Sequence, residues 1–302
     1  MKRLLFFVNP NAGHMEIRAT LMDVLQVFSN AGYEVTVYLT TGPRDLTKQL
    51  IARGSAYDLV VCTGGDGTLN EAVSGLMALP EQSRPLLGYI PGGTVNDVAS
   101  TLGLSKDTVK AAQDIVRGTP FPLDIGSFGP EHFFTYVAAF GIFTDVPYET
   151  PQEDKRVWGK LAYIMNGAGA LGRLNPTHVR VWYDGNMVED DVLVGLVTST
   201  MSVGGFKATK DLGISLNDGL YEMVLVRATR NLAEFNLAAT RALRLDFDND
   251  SFIFDKASRL RFEFDAPVSW TVDGEFGGNV TSVDIQNNSR AIRILVPPQE
   301  RN

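Results

Sequence analysis

The stretch "VVCTGGDGTLNEAV", Val60 to Val73, joins an apolar run to a helical pattern through three glycines and one aspartate. The apolar run is typical of a buried strand, and the residues after Gly67 have the spacing of a helix. The junction fits two interpretations. Glycine and aspartate could form only a tight turn, or they could bring backbone N–H groups close to the oxygens of a phosphate. This stretch alone leaves both interpretations open.

Apolar strands alternate with helical patterns on both sides of this stretch. We predict strands at residues 4–8, 35–39, 58–63, 86–90 and 121–125, with helices between them. Strands that are apolar on both faces and separated by helices are typical of a mostly parallel sheet covered on both sides. We therefore predict that residues 1–126 form an α/β domain with a doubly wound, mostly parallel sheet.

The pattern changes after about Gly126. The segments that follow are short, rich in β-branched and aromatic residues, and separated by turn signals such as Asp184-Gly185. We predict a second, β-sandwich-like domain at residues 127–285. The tail, about residues 286–302, could pack back on the first domain.

Three segments of the second domain carry more detailed predictions. The segment "HFFTYVAAF", residues 132–140, is predicted as a strand, and residues 157–170 are predicted as a helix. A second helix is predicted to continue to about Leu245, because Asn231 and Glu234 have the spacing of a capping box.

The composition is that of an ordinary globular protein of 302 residues, with 44% hydrophobic and 21% charged residues. The net charge of -8 argues against nucleic acid as a partner, because phosphate contacts need a basic surface. The single cysteine, Cys62, excludes a disulfide framework and fits a reducing compartment. No run of about 18 consecutive apolar residues occurs, so no membrane-spanning helix is predicted and we expect a cytoplasmic protein.

Two further strands of the first domain end in loops that could bind phosphate, "NPNAG" at residues 9–13 and "PGGTVND" at residues 91–97. In an open parallel sheet, ligands bind where strands end and helices begin. Asp66, Asp97 and Asp124 are therefore expected at one edge of the sheet. A lone carboxylate there is usually a helix cap or a solvated side chain, whereas three favour a hard divalent cation such as Mg²⁺ that neutralises nucleotide phosphates.

Together these motifs resemble the diacylglycerol kinase catalytic family, especially its soluble bacterial lipid kinases. The resemblance rests on N-P-x-x-G, G-G-D-G-T, P-x-G-T-x-N-D and a late D-G-E at residues 273–275. It spans nearly the whole chain, and the combination is more specific than G-G-D-G-T alone, which NAD kinases share. It implies an NAD kinase/diacylglycerol kinase-like fold, ATP and Mg²⁺ as cofactors, and phosphorylation of the hydroxyl of diacylglycerol to phosphatidic acid.

The resemblance also implies which residues form the site. The implied ATP site consists of Asn9, Pro10, Asn11, Ala12, Gly13, Thr40, Gly65, Asp66, Gly67, Thr68, Leu69, Asn70, Glu71 and Thr94. The implied catalytic residues are Asp66, Asp97 and Asp124, around a catalytic Mg²⁺ held through waters, and Asp273 as general base. The implied ligands of a second, structural Mg²⁺ are the side chain of Asp218 and the carbonyls of Ser215 and Leu220.

General-base chemistry suits a carboxylate in the second domain. A primary alcohol is a poor nucleophile at neutral pH, so phosphoryl transfer needs a group that takes its proton. Asp273 lies far along the chain from the nucleotide loops, which suits ATP on the first domain and a lipid acceptor on the second. The alternative for Asp273-Gly274 is a simple hairpin turn.

Alternatives also remain for the function as a whole. The acceptor could be another lipid alcohol or NAD, and the chain could be a catalytically idle nucleotide-binding regulator. The resemblance implies transient contact with the inner face of the membrane, and a homodimer.

Overall fold

A computed structural model of the chain describes residues 1–10, 16–93, 96–130, 132–141, 175–199, 202–203, 206–207 and 215–298. The chain divides into two compact units, one of Met1–Ile125 with Ser289–Asn302 and one of Gly126–Asn288. The helix predicted at residues 157–170 lies outside the described residues. In the part of the chain that is described, no helix combines the length and the apolar character needed to cross a membrane.

The first unit contains a parallel sheet with helices between its strands. Its parallel strands are β1 (Lys2–Val8), β2 (Tyr33–Leu39), β3 (Leu59–Gly64) and β4 (Leu86–Pro91). The strand predicted at residues 121–125 is part of β5 (Thr119–Phe128), which ends in the second unit and does not pair with any of these four strands, so its prediction as a strand of the parallel sheet is wrong. Its helices are α1 (Glu16–Asn30), α2 (Asp45–Arg53), α3 (Asp66–Met77), α4 (Asp97–Thr101) and α5 (Thr108–Arg117). The order β4-β3-β1-β2 is parallel throughout, so the mixed α/β class is as predicted.

Continuous apolar runs explain why this sheet is covered on both faces. All six residues of β3 are buried, as are Leu4 to Val8 of β1. Phe6 packs edge-on against Phe28 of α1, within a core that also takes in Ile115 of α5. Because these strands run in the same direction, their carboxyl ends lie at one edge of the sheet.

The second unit is built mainly from antiparallel strands. Its elements are β6 (His132–Phe134), β7 (Val137–Gly141), β8 (Thr177–Tyr183), β9 (Asn186–Thr198), β10 (Ser202–Val203), β11 (Phe206–Lys207), β12 (Tyr221–Arg227), α6 (Leu232–Leu243), β13 (Phe252–Ala257), β14 (Arg259–Val272) and β15 (Glu275–Val296), whose last residues belong to the first unit. Neighbouring strands pair in the order β13-β12-β9-β7-β14-β15, and β8 pairs with β9 and β14. The sandwich-like description of this unit stays a prediction.

Aromatic side chains form the core of the second unit. Trp270 is fully buried, and its ring centroid lies 4.7 Å from that of Phe140 and 5.1 Å from that of Phe128. Phe262 packs against the same ring in a T-shaped arrangement, 5.2 Å between centroids. These contacts anchor β14, the strand that ends immediately before Asp273.

One segment of the second unit differs from its prediction. Residues 132–140 were predicted to form one strand, and the structure divides them into β6 and β7. The physical cause is a contact distant in sequence. The backbone N–H groups of Thr135, Tyr136 and Val137 all donate to the carboxylate of Asp273, so the ladder is interrupted between the two strands. The prediction of one continuous strand is therefore wrong at this point.

The capping prediction for α6 is confirmed. The side chain of Asn231 accepts a hydrogen bond from the N–H of Glu234 at 2.9 Å, and the Glu234 carboxylate accepts from the N–H of Arg230 at 2.9 Å. The helix begins at Leu232 and ends at Leu243, two residues before the predicted end.

Candidate functional site

Backbone hydrogen bonds bring the carboxyl ends of β1, β2 and β3 together. The N–H of Thr40 donates to the carbonyl of Val8 at 3.0 Å, and the N–H of Asn9 donates to the carbonyl of Thr63 at 3.4 Å. The side-chain amide of Asn9 also reaches the hydroxyl of Thr68 at 3.4 Å. Three residues of the predicted ATP site, Asn9, Thr40 and Thr68, therefore lie at one edge of the first unit's sheet.

Glycines allow the loops after β3 and β4 to pack backbone against backbone. The N–H of Gly92 donates to the carbonyl of Gly64 at 2.7 Å. A Cβ atom added to Gly93 would lie 2.6 Å from the Cα of Gly65, which is too close for any side chain. These glycines therefore do more than form a turn, because they join two strand-end loops at the N-terminus of α3, where the helix dipole favours an anion.

Asn96 connects these loops to the first aspartate. Its N–H donates to Asp66 Oδ2 at 2.9 Å, and its side-chain oxygen accepts from the N–H of Gly93 at 3.0 Å and from the hydroxyl of Tyr89 at 3.1 Å. Asn96 has φ 56°, a left-handed conformation that asparagine adopts more readily than most residues. The bond draws Asp66 toward the loop that carries Asp97.

Asn96 and Tyr89 were not predicted as site residues. The asparagine in "PGGTVND" could have suggested a left-handed turn, whereas no local pattern marks the hydroxyl of Tyr89 as part of the loop.

Asp97 and Asp124 are both almost fully buried. Asp97 is the first residue of α4, and Asp124 Oδ1 accepts a hydrogen bond from the N–H of Arg290 at 2.6 Å. Among the described residues, no three His, Cys, Asp or Glu side chains are grouped so that they could bind one metal ion directly. Carboxylate oxygens are nevertheless the donors that Mg²⁺ prefers, and this ion usually keeps several of its waters.

The other predicted ATP-site residues have varied surroundings. Gly65 is the N-cap of α3, and Gly67, Asn70 and Glu71 follow Asp66 in its first turns. Leu69 is fully buried, so its side chain belongs to the core. The carbonyl of Pro10 accepts from Arg18 at 2.8 Å. Residues Asn11, Ala12, Gly13 and Thr94 lie outside the described part of the chain.

Cys62 of β3 lies close to this edge but is chemically inert. Burial raises the pKa of its thiol to about 12, and the negative charge of Glu71 adds to the effect. Because the thiolate is the nucleophilic form, this cysteine is not a catalytic nucleophile.

Asp273 in the second unit lies in a two-residue turn between β14 and β15. Asp273 and Gly274 have φ of 47° and 84°, as expected for an Asp-Gly hairpin. The Asp273 carboxylate is only 5% exposed and accepts four hydrogen bonds from the described part of the chain. Oδ2 accepts from the N–H and hydroxyl of Thr135 at 2.7 and 2.8 Å, and Oδ1 from the N–H groups of Tyr136 and Val137 at 3.1 Å each.

Asp184-Gly185 forms a similar turn in the same unit and provides a comparison. Asp184 also has positive φ, and its carboxylate accepts from the N–H of Ser258 at 2.7 Å and from the N–H of Arg259 at 3.0 Å. Partial burial acts to raise the pKa of Asp184, but these hydrogen bonds prevail and lower it. Asp184 is exposed and Asp273 is buried, so burial is the property that distinguishes Asp273 from an ordinary aspartate in a hairpin turn.

The residues of the implied structural Mg²⁺ site lie in one turn before β12. Asp218 Oδ1 accepts from the N–H of Leu220 at 3.1 Å, and the Ser215 hydroxyl donates to Asn217 at 2.9 Å. The carbonyl of Leu220 accepts from the amide of Asn287 at 3.3 Å. The oxygen donors suit Mg²⁺, and the assignment stays a prediction.

A buried carboxylate lies two residues beyond this turn. Glu222 is 1% exposed, and burial raises its pKa to about 7, although Lys256 Nζ, 3.0 Å away, acts in the opposite direction.

Comparison with known proteins identifies the family. Residues 3–128 match the model of the diacylglycerol kinase catalytic domain. The chain is also 38% identical, over 99% of its own length and 98% of the relative's, to a protein of Bacillus subtilis (strain 168) named diacylglycerol kinase. The chain belongs to the diacylglycerol kinase family. A diacylglycerol kinase of Staphylococcus aureus (strain MRSA252) is 34% identical, over 98% of this chain and 93% of that one.

Solved structures show the same fold as this diacylglycerol kinase family member. A crystal structure of a candidate diacylglycerol kinase from Bacillus anthracis str. Sterne has a TM-score of 0.85 and 25% identity, covering 98% of this chain and 96% of that one. A second structure, of a diacylglycerol kinase from the same organism, has a TM-score of 0.77 at 23% identity, covering 98% and 97% of the two chains. The chain is thus a kinase with this family's mixed α/β fold.

Proposed function

We propose that this family member transfers the γ-phosphoryl group of ATP to the free hydroxyl of diacylglycerol, giving phosphatidic acid and ADP. The observation that carries the proposal is the 38% identity, over 99% of the chain, to a protein named diacylglycerol kinase. The joined strand ends of the first unit give it physical support, because glycine loops at a helix N-terminus suit the phosphates of a nucleotide.

The proposed nucleotide site lies at the strand ends that carry Asn9 and Thr40, beside Thr68 in the first turn of α3. Asp66 and Asp97, on loops that Asn96 connects, and Asp124 on β5 would hold Mg²⁺ through waters. The ion would neutralise the charge of the phosphates and align the γ-phosphoryl group.

The proposed general base is Asp273. A bond forms between the acceptor hydroxyl oxygen and the γ-phosphorus, the bond from that phosphorus to the bridging oxygen of ADP breaks, and the hydroxyl proton passes to the Asp273 carboxylate. In support of this role, a carboxylate can take a proton, and four hydrogen bonds hold the almost buried Asp273 carboxylate in one orientation.

The substrate implies where the enzyme acts. Diacylglycerol resides in membranes, so we propose transient contact with a membrane surface, from the cytoplasmic side. A homodimer is proposed on the resemblance alone.

The proposal is tested by phosphate transfer from radiolabelled ATP in mixed micelles to a panel of acceptors: diacylglycerol, other lipid alcohols and NAD. We expect labelled phosphatidic acid as the main product, and no labelled product without Mg²⁺. Transfer mainly to another lipid alcohol or to NAD would show that this acceptor, and not diacylglycerol, is the substrate. Nucleotide binding without transfer to any acceptor would instead support an idle regulator.

A pair of variants tests the base. Asp273→Asn keeps the shape and removes the basicity, so we expect turnover to fall by roughly 10²- to 10⁴-fold with ATP affinity unchanged. Asp184→Asn makes the same change in the exposed Asp-Gly turn and should leave turnover as in the wild type. Full turnover of Asp273→Asn would eliminate the base assignment and leave Asp273 as a hairpin residue only.

A further inference from the structure

We propose that Thr135 is a positioning residue for the general base, acting through its hydroxyl on Oδ2 of Asp273. The inference rests on the proposed function, because it takes Asp273 as the group that accepts the proton. Thr135 is fully buried, and its hydroxyl lies 2.8 Å from Oδ2.

The four donors around the carboxylate are not equivalent. A carboxylate has about four acceptor positions, two on each oxygen. Three of the donors are the backbone N–H groups of Thr135, Tyr136 and Val137, which can only donate. The fourth, the Thr135 hydroxyl, carries lone pairs as well and can turn about its C–O bond.

This difference matters when the proton is transferred. Once Asp273 has taken the proton of the acceptor alcohol, its carboxyl group becomes a donor, and none of the three N–H groups described here can accept a hydrogen bond from it. Of the four groups, the Thr135 hydroxyl alone can change from donor to acceptor. The Thr135 hydroxyl therefore stabilises the carboxylate before the transfer and, by turning about its C–O bond, can accept a hydrogen bond from the protonated carboxyl group after it.

The backbone that carries these donors is itself fixed. The carbonyl of Thr135 accepts from the hydroxyl of Ser199 at 3.3 Å, and the carbonyl of Tyr136 accepts from the hydroxyl of Thr198 at 2.8 Å. The N–H of Asp273 donates to the carbonyl of Val137 at 2.8 Å. The end of β9 thus holds the donor segment, so the Thr135 hydroxyl is preorganised around Oδ2.

The test compares Thr135→Val, which removes the hydroxyl at nearly constant shape, with Thr135→Ser, which keeps it. Turnover and the KM values for ATP and diacylglycerol are measured in mixed micelles, beside thermal melting. For Thr135→Val we expect kcat to fall about 10- to 100-fold, with both KM values within about twofold of the wild type. Thr135→Ser should restore kcat to within about threefold of the wild type.

Thr108→Val is the matched control. Thr108 is also a buried threonine, and its hydroxyl lies 2.7 Å from that of Thr20 on α1, in the first unit. This variant should lower the melting temperature without changing kcat. If kcat of Thr135→Val falls only in proportion to the loss of thermal stability, Thr135 has a packing role and the inference is overturned. The same holds if Thr135→Ser does not restore kcat.

Failure of the inference and failure of the proposed function are distinguishable. Normal kcat in Thr135→Val beside an inactive Asp273→Asn would remove Thr135 and keep the base. An active Asp273→Asn would remove both the base and the role of Thr135, and no transfer by the wild-type protein would overturn the proposed function itself.

Discussion

At the scale of the residue, glycines have no side chain, and this allows the loop after β3 and the loop after β4 to pack against each other. Gly64 and Gly65 pack directly against Gly92 and Gly93, with one backbone hydrogen bond of 2.7 Å between the two loops. A side chain here would separate the loops and draw Asn96 away from Asp66, because the side chain of Asn96 is bonded to the backbone of Gly93. The loop geometry and the position of the first aspartate are therefore coupled.

We predict that Gly93→Ala abolishes ATP binding and lowers the free energy of unfolding by about 1–3 kcal/mol, as overpacking usually does. The added Cβ atom would lie 2.6 Å from the Cα of Gly65. Gly42→Ala is the control, because its Cβ atom would meet no atom within 4 Å. Urea denaturation and titration calorimetry with ATP measure the two effects, and ATP binding at wild-type affinity by Gly93→Ala would contradict the argument.

At the scale of the element, an ion-pair cluster joins β8 to β9. His178 lies opposite Asp191, and its ring nitrogens lie 2.8 Å from Asp191 and 3.0 Å from Glu189. Two hydrogen bonds raise the pKa of His178 above its usual value of 6.5. The bond to Asp191 has the larger effect and the bond to Glu189 the smaller one. The stabilisation is therefore complete below about pH 6.5 and is lost as the pH rises through the folded-state pKa.

We predict that His178→Gln lowers the melting temperature more at pH 6 than at pH 9, because the wild-type imidazole loses its positive charge as the pH rises through its folded-state pKa. Because the pair is exposed, the shift should be small and should decrease with added salt. His132→Gln is the control, since His132 is an exposed histidine of β6 with no ion pair within the described ranges. If His178→Gln lowers the melting temperature equally at pH 6 and pH 9, the packing of the imidazole ring, and not its charge, stabilises the protein.

The elements also show how far local patterns reach. Continuous apolar runs predicted β1 and β3, and the spacing of Asn231 and Glu234 predicted the start of α6, because these features depend on neighbours in sequence. The interruption at Thr135 could not be predicted in this way. Its cause, Asp273, lies 138 positions further along the chain, and nothing in "HFFTYVAAF" reveals it.

The same distinction applies to the candidate site. The glycine loops after β3 and β4 were recognisable because each is a short local motif at the end of a strand, whereas most of the third predicted loop, residues 9–13, lies outside the described residues. The bond from the backbone of Arg290 to Asp124 spans 166 positions, and the donor is a main-chain group that any residue other than proline would supply. Because a backbone donor does not depend on the type of its residue, the sequence contains no pattern from which such a contact could be predicted.

At the scale of the whole molecule, the two proposed Mg²⁺ sites belong to different units. The nucleotide loops and Asp66 lie in Met1–Ile125, whereas Asp218 lies in Gly126–Asn288. A ligand that binds only the folded chain raises its stability by mass action, so the structural site should give a thermal shift with Mg²⁺ alone and the nucleotide site a further shift with ATP and Mg²⁺.

We predict that Mg²⁺ alone raises the melting temperature of the wild type and that Asp218→Ala removes this shift. The additional shift from ATP with Mg²⁺ should remain in the variant, because the proposed nucleotide residues are intact; at 100 times Kd it corresponds to about 2.7 kcal/mol. Scanning fluorimetry with and without EDTA measures both shifts. An identical response of the wild type and Asp218→Ala to Mg²⁺ would rule out the structural site.

The protected thiol of Cys62 makes the chain ready for site-specific labelling. It is the only cysteine in the sequence, it is fully buried, and its pKa of about 12 keeps it in the unreactive thiol form. Maleimide dyes attack thiolates, so a cysteine introduced at an exposed position would be the one site that reacts in the folded protein. Fluorophores or spin labels could therefore be attached to either unit without first replacing a native residue.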